Sequence, residues 1–288
     1  MKCIFPVPIT LEQHNNAKIL VGCGKCYYCL QERRKSWYVR NLEELRNPRN
    51  KMSVFITLTY RDSDLPRYKS GKPHFSKPHV QKFLDRLRKK LIREFGCEMR
   101  YFLVSEYGDE TVRPHYHILM YLTEFIDIMD FQKLLDSSWP YQDLMTDWHF
   151  MNELMISYCC NYVLSYIFSA KDHLERPFML SSRRPAIGSS FLSNSVKVND
   201  SFRGDYIGYS DFENRYKLPR YYKDKILNDD ERFDILETYL EKLQEDARKE
   251  KEYRSQVGDF RYFTEKISNF WNAVRNSEIK LKKSKHKL

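Results

Sequence analysis

Glycine is scarce in this chain, nine residues in 288, and no stretch of about 18 consecutive apolar residues occurs. The second absence excludes a membrane-spanning helix and a membrane role built on one. Residues 1–10 carry Pro6 and Pro8 and lack the basic-then-apolar order of a secretory leader, so a cytoplasmic protein is expected. No internal repeat is visible, which excludes a solenoid or propeller. Hydrophobic residues make up 42% and charged residues 31%, a balance that excludes an intrinsically disordered chain.

What the sequence has in excess is positive charge and aromatic rings. Lys plus Arg number 49 against 39 for Asp plus Glu, a formal charge of +10. A basic surface gains affinity for nucleic acid by releasing counterions from phosphates, although the same balance also serves solubility. The 21 tyrosines and 18 phenylalanines offer rings for stacking on unpaired bases as well as for a core. Seven cysteines in a cytoplasmic chain are thiols or metal ligands before they are disulfides. Three of them, Cys23, Cys26 and Cys29, follow a CxxCxxC spacing, and Cys3 is the natural fourth ligand of a tetrahedral Zn²⁺ site. Buried thiols and an iron–sulfur cluster are the other readings. The helix expected over residues 26–46 is basic at Arg33, Arg34, Lys35 and Arg40, suited either to a phosphate backbone or to water.

Residues 54–60 form the clearest strand, with Thr57 and Thr59 alternating against Ile56 and Leu58. Ser76 is placed to cap a helix over residues 77–94 that carries Val80, Phe83, Leu84, Leu87 and Leu91 at helical spacing. Two strands follow, residues 100–106 and 113–121, joined by a turn. His115 and His117 lie at i and i+2 of the second, on one face, and a hairpin places Glu106 beside them. Two imidazoles and a carboxylate with open positions suit Mg²⁺ or Mn²⁺ holding a phosphate. A helix over residues 125–138, a strand over 144–150 and a long helix over 152–170 complete this part. On the last helix Tyr158, Tyr162 and Tyr166 form a stripe, ordinarily a sign of core packing. Four segments result: a Cys-containing segment with a basic helix (1–50), a core (51–172), a loop-rich segment (173–222) and a charged helical extension (223–288) whose basic end, 280–287, frays or tracks DNA.

The polar-faced strand, the Arg113-Pro-His-Tyr-His strand and the Tyr162-Val-Leu-Ser-Tyr166 helix occur in the order found in HUH endonucleases, the rolling-circle replication initiators. Together with Cys-Gly-Lys-Cys-Tyr-Tyr-Cys and Ser105-Glu-Tyr-Gly, they make residues 1–170 resemble the replication initiation proteins of microviruses, in particular the gokushovirus branch. The resemblance implies an α+β fold, an antiparallel sheet of ferredoxin or RRM type flanked by helices, here with a helical C-terminal extension. It implies His115, His117 and Glu106 as metal ligands and Tyr162 and Tyr166 as nucleophiles, with Tyr158 a third candidate. It also implies nicking of single-stranded origin DNA in the cytoplasm of a host bacterium, a 5′-phosphotyrosine link, and a free 3′-OH for host polymerase and helicase to use. Relatives carry a lysine beside the tyrosines where this chain has Ser165, and Lys171, one turn further on, is the candidate replacement. The rival expectations are a non-catalytic, zinc-stabilised DNA- or RNA-binding protein and a relaxase or transposase of the same superfamily.

Overall fold

The computed structural model describes residues 3–11, 17–108, 111–142, 144–164, 175–200, 208–211 and 214–285. Contacts divide the chain into two compact units, residues 34–219 and residues 1–33 with 220–288.

The larger unit is built on an open five-stranded antiparallel sheet in the order β6-β3-β5-β4-β7, made of β3 (Met52–Leu58), β4 (Met99–Tyr107), β5 (Pro114–Leu122), β6 (Asp147–Phe150) and β7 (Met179–Ser181). The α+β expectation, an antiparallel sheet flanked by helices with a helical C-terminal stretch, is what the fold shows. In β5, side chains alternate between two buried faces. Tyr116, Ile118, Met120 and Leu122 join Val54, Ile56 and Leu58 of β3 in one core. That face is covered by α2 (Lys77–Phe95) and α3 (Ile128–Ser138). Ser76 caps α2 by accepting from the His79 N–H at 3.4 Å, and Gly96, at φ 59°, ends it in the left-handed conformation that a side chain disfavours. Leu119 and Tyr121 point the other way, with Phe55, Phe102 and Val104, into a second core. This one is covered by α4 (Glu153–Asn161) and by Trp37 and Tyr38 of α1 (Tyr27–Leu45).

The segment expected to be loop-rich is more ordered than its composition suggests. It supplies β7, the short helix α5 (Ser195–Asp200) and a hairpin of β8 (Gly208–Asp211) and β9 (Asn214–Lys217). Two buried carboxylates of α1 tie it down. Glu44 accepts from the Gly188 N–H at 2.7 Å and pairs with Arg100 at 3.0 Å. Glu43 accepts from Lys197 at 2.8 Å and from the Tyr209 hydroxyl at 2.6 Å. Buried charge is tolerated only when paired in this way, and such pairs are made between residues far apart in sequence, beyond what local pattern signals.

In the smaller unit, β1 (Val7–Leu11) and β2 (Ala17–Val21) pair as a hairpin ahead of the first turns of α1. The C-terminal part holds α6 (Arg220–Ile226), α7 (Asp229–Val257) and α8 (Asp259–Lys285). Asn228 and Glu231 form a reciprocal capping box at the start of α7. The turn at Gly258, φ 79°, folds α8 back so that Tyr253 reaches Glu265 at 2.6 Å and Lys266 reaches Glu250 at 2.8 Å. The basic end of the chain, expected to fray, is helical through Lys285. No helix among the described residues is long and apolar enough to cross a membrane.

Three phenols of the larger unit, those of Tyr60, Tyr116 and Tyr121, are held above the usual phenol range, in each case chiefly by burial. In the unfolded chain they ionise near pKa ~10. Because the folded values are raised, stability is complete below that pH and falls as pH rises beyond it. The slope is about 1.4 kcal/mol per pH unit for each such tyrosine. Alkaline titration is therefore expected to leave a fraction of the tyrosines un-ionised until far-UV circular dichroism is lost. Full ionisation with the dichroism intact would contradict it.

Candidate active site

The sheet register assembles the site. Glu106 of β4 pairs with His115 of β5, and His117 lies between Val104 of β4 and Thr57 of β3. Directly paired residues share a face, so Glu106, His115, His117 and Thr57 all project to the side covered by α4. There His117 Nε2 lies 3.3 Å from Glu106 Oε1, and His117 Nδ1 lies 3.3 Å from Thr57 Oγ1. Phe55 stacks with the imidazole at a centroid separation of 5.5 Å. Glu106 is 8% exposed and His117 6%, so charge at this point acts with little screening by water.

The covering helix brings the tyrosines. Asn152 caps α4 by accepting from the Met155 N–H at 3.0 Å, and Ile156, Cys159 and Cys160 anchor the helix in the second core. Tyr158 and Tyr162, four residues apart, therefore both face the sheet. Tyr162 stacks with His117 at 5.6 Å, Tyr158 meets the same ring edge-on at 5.3 Å, and the Tyr162 hydroxyl donates to that of Tyr158 at 2.6 Å. The long helix expected over residues 152–170 stops earlier. α4 ends at Asn161 and tightens into a 3₁₀ turn, Tyr162–Leu164, where the Tyr162 N–H reaches back to the Cys159 carbonyl. The Tyr162 phenol is held far above its usual range, first by burial, then by the Glu106 charge and the Tyr158 hydroxyl. Arg34 donates to Asn161 Oδ1 at 2.7 Å, fixing a guanidinium at the end of α4.

Of the residues singled out in the sequence, Glu106, His117 and Tyr162 are brought to one point. His115 shares their face and is half-buried, its Nε2 only 3.2 Å from where a Cβ on Gly108 would stand. It does not close a compact cluster with the other two. Among the described residues, the one set of three or more His, Cys, Asp or Glu side chains with all ligand atoms within 4.8 Å of one another is Cys3, Cys23, Cys26 and Cys29. Arg33 is exposed. Tyr166 and Lys171 lie outside the described residues, as does Ser165. The sequence did not single out Thr57 and Phe55 as neighbours of His117. The alternation of β3 puts both on one face, but only the register of β3 against β5 sets which histidine they meet. Tyr158, ranked behind the other two tyrosines, is in direct contact with the site.

Residues 53–167, which include every one of these sheet and helix residues, match the family model of the replication-associated protein ORF2. Over 274 residues the chain is 26% identical to the replication-associated protein ORF2 of Spiroplasma virus 4, covering 89% of this chain and 82% of the relative. It is 25% identical to the replication-associated protein VP4 of Bdellovibrio phage phiMH2K over 225 residues, 72% of this chain and 68% of that one. The replication-associated protein ORF4 of Chlamydia phage 1 is 33% identical over 99 residues, 34% of this chain and 23% of the relative. No solved structure matches the chain. Through residues 53–167 the chain belongs to the family of the replication-associated protein ORF2.

Proposed function

We propose that this chain initiates phage DNA replication as an HUH-type endonuclease and strand transferase, nicking single-stranded origin DNA with Tyr162 and rejoining it. One observation supports this above the rest: a buried carboxylate–imidazole pair, Glu106 and His117, stacked against a tyrosine, Tyr162, inside the family-matched region. The Tyr162 hydroxyl oxygen attacks the scissile phosphorus, a P–O(Tyr) bond forms, and the P–O3′ bond breaks. The departing strand leaves as a free 3′-OH for a host polymerase. The phenol proton points at the Tyr158 hydroxyl, which accepts it in the resting state. The phosphotyrosine keeps the diester's free energy, so attack by a 3′-OH reverses the step without ATP. Tyr166 serves as the second nucleophile, and Arg34, held at the end of α4, is placed to meet a phosphate.

Glu106, His115 and His117 would hold Mg²⁺ or Mn²⁺. The donor set fits: a carboxylate and two imidazoles on one face, with His117 Nε2 buried, aimed at Glu106 and without a hydrogen-bond partner among the described residues. When bound, such an ion polarises the phosphoryl oxygen and offsets charge developing on it. Thr57 sets the tautomer. With the proton on Nδ1, His117 donates to Thr57 Oγ1 and presents the Nε2 lone pair.

Incubation with Mn²⁺ and a labelled single-stranded origin oligonucleotide is expected to give a detergent-resistant adduct that mass spectrometry maps to Tyr162 or Tyr166. Tyr162→Phe with Tyr166→Phe should bind the DNA and form no adduct, and excess chelator should abolish it in the unaltered chain. An adduct that survives both tyrosine substitutions ends the nuclease proposal, and activity in chelator ends the metal assignment. Thr57→Val is expected to raise the Mn²⁺ concentration needed for half-maximal cleavage about 10–100-fold. An unchanged requirement shows that the threonine does not orient the ligand. Glu106→Gln removes a buried negative charge next to two phenols, so in chelator it should melt no lower than the unaltered chain while losing cleavage. A clearly lower melting temperature assigns the carboxylate to the fold instead.

A further inference from the structure

The four cysteines of the smaller unit take no part in the chemistry proposed above. Cys3 precedes β1, Cys23 follows β2, Cys26 adjoins the start of α1 and Cys29 lies in its first turn. The sulfurs of Cys23 and Cys29 are 4.0 Å apart and those of Cys26 and Cys3 are 3.7 Å apart, and all four lie within 4.8 Å of one another. A disulfide needs about 2.05 Å. A tetrahedron with Zn–S bonds of about 2.3 Å has edges of about 3.8 Å, and the two shortest separations bracket that value. The local backbone is shaped for four sulfurs. A Cβ on Gly22 would stand 2.9 Å from Cys29 Sγ, so only glycine lets that sulfur come in. Gly24, at φ 73°, turns the chain between Cys23 and Cys26 in a conformation that side chains disfavour. The N–H of Cys23 donates to Cys3 Sγ and that of Cys26 to Cys23 Sγ, both at 3.3 Å. Such donors offset the excess negative charge of four thiolates around one divalent ion.

We propose that Cys3, Cys23, Cys26 and Cys29 bind one zinc ion as a closed, structural four-thiolate site. Its role follows from what it joins. A two-stranded hairpin is marginal in water by itself, and Val7, Ile9 and Leu20 of this one are exposed, so β1 and β2 draw little from burial. Four ligands taken from both ends of the hairpin and from the first turn of α1 fasten the three elements together. With four protein ligands no coordination position stays open, which separates this site from the catalytic one.

The test is metal analysis of the full chain purified from zinc-supplemented medium, with cobalt exchange as a second readout. About one zinc per chain is expected. The cobalt form should show thiolate-to-metal charge transfer and the visible bands of a tetrahedral ion. Cys23→Ser with Cys26→Ser should lose the zinc. His117→Ala, which disables the proposed catalytic site, and Cys97→Ser, at a buried cysteine outside the cluster, should keep it. Metal-free protein, bound iron, cobalt spectra without thiolate character, or zinc lost in His117→Ala and kept in the double cysteine variant would each overturn the proposal. None of those results bears on whether Tyr162 nicks DNA.

Discussion

The larger unit depends on the register of β5 between β3 and β4. Side chains in a strand alternate with a period of two, so a slip of one residue would exchange the faces of the whole strand. Tyr116, Ile118, Met120 and Leu122 would leave the core under α2 and α3, and His115 and His117 would enter it. Burying one such apolar side chain is worth about 2 kcal/mol, and an unpaired polar or ionised group in its place costs several more. Four apolar residues thus hold the strand in the one register that presents two histidines to Glu106 and Tyr162. Core and site are fixed by the same alternation: the apolar half of β5 sets the position of the polar half.

The site so placed is under electrostatic tension. Burial and the Glu106 charge both oppose ionisation of the Tyr162 phenol, and the Tyr158 hydroxyl does so less. A resting phenol of this kind is a poor nucleophile. Opposite unit charges about 4 Å apart interact by about 4 kcal/mol at an effective dielectric of 20, equivalent to about three pKa units. Under the proposed chemistry, a divalent ion held by Glu106 and His117 turns the largest local charge from negative to positive and so reverses the bias against the phenolate. The arrangement that suppresses the nucleophile without metal is the one most responsive to metal.

The sequence revealed what is set locally. The alternation of residues 54–60, the helical spacing from Val80 to Leu91 with Ser76 ahead of it, and the i, i+2 histidines each depend on neighbours a few residues away, and each lies where expected. Glu106 beside His115 was legible because a hairpin is local too. Thr57 under His117 was not, since it joins residues sixty positions apart through pairing that only the folded sheet sets. The order of residues 175–219 was hidden for the same reason: Glu43 and Glu44 sit in a helix that reads as solvated charge, yet both are buried by partners over a hundred residues away. The helix over 152–170 was overextended because residues 162–164 contain neither Pro nor Gly, and nothing local marks the change to a 3₁₀ turn.

Burial also sets what DNA binding has to do. Tyr162, His117 and Glu106 are each less than one-tenth exposed, too little for a phosphate to reach the phenol in the resting arrangement. The cover is α4 and the turn after it, and these are held unequally. Ile156, Cys159 and Cys160 anchor the helix in the core, and the exposed Arg46–Glu153 pair at 2.9 Å adds less than about 1 kcal/mol. The turn Tyr162–Leu164 rests mainly on the burial of its own Tyr162 and Leu164. Exposing those two side chains costs about 4 kcal/mol, far less than lifting the helix with its core residues. The open form is then populated at about one part in a thousand. Contacts to the single strand that favour it by the same amount would bring it to parity, so the hinge for nucleophile exposure falls after Asn161, where α4 gives way to the 3₁₀ turn.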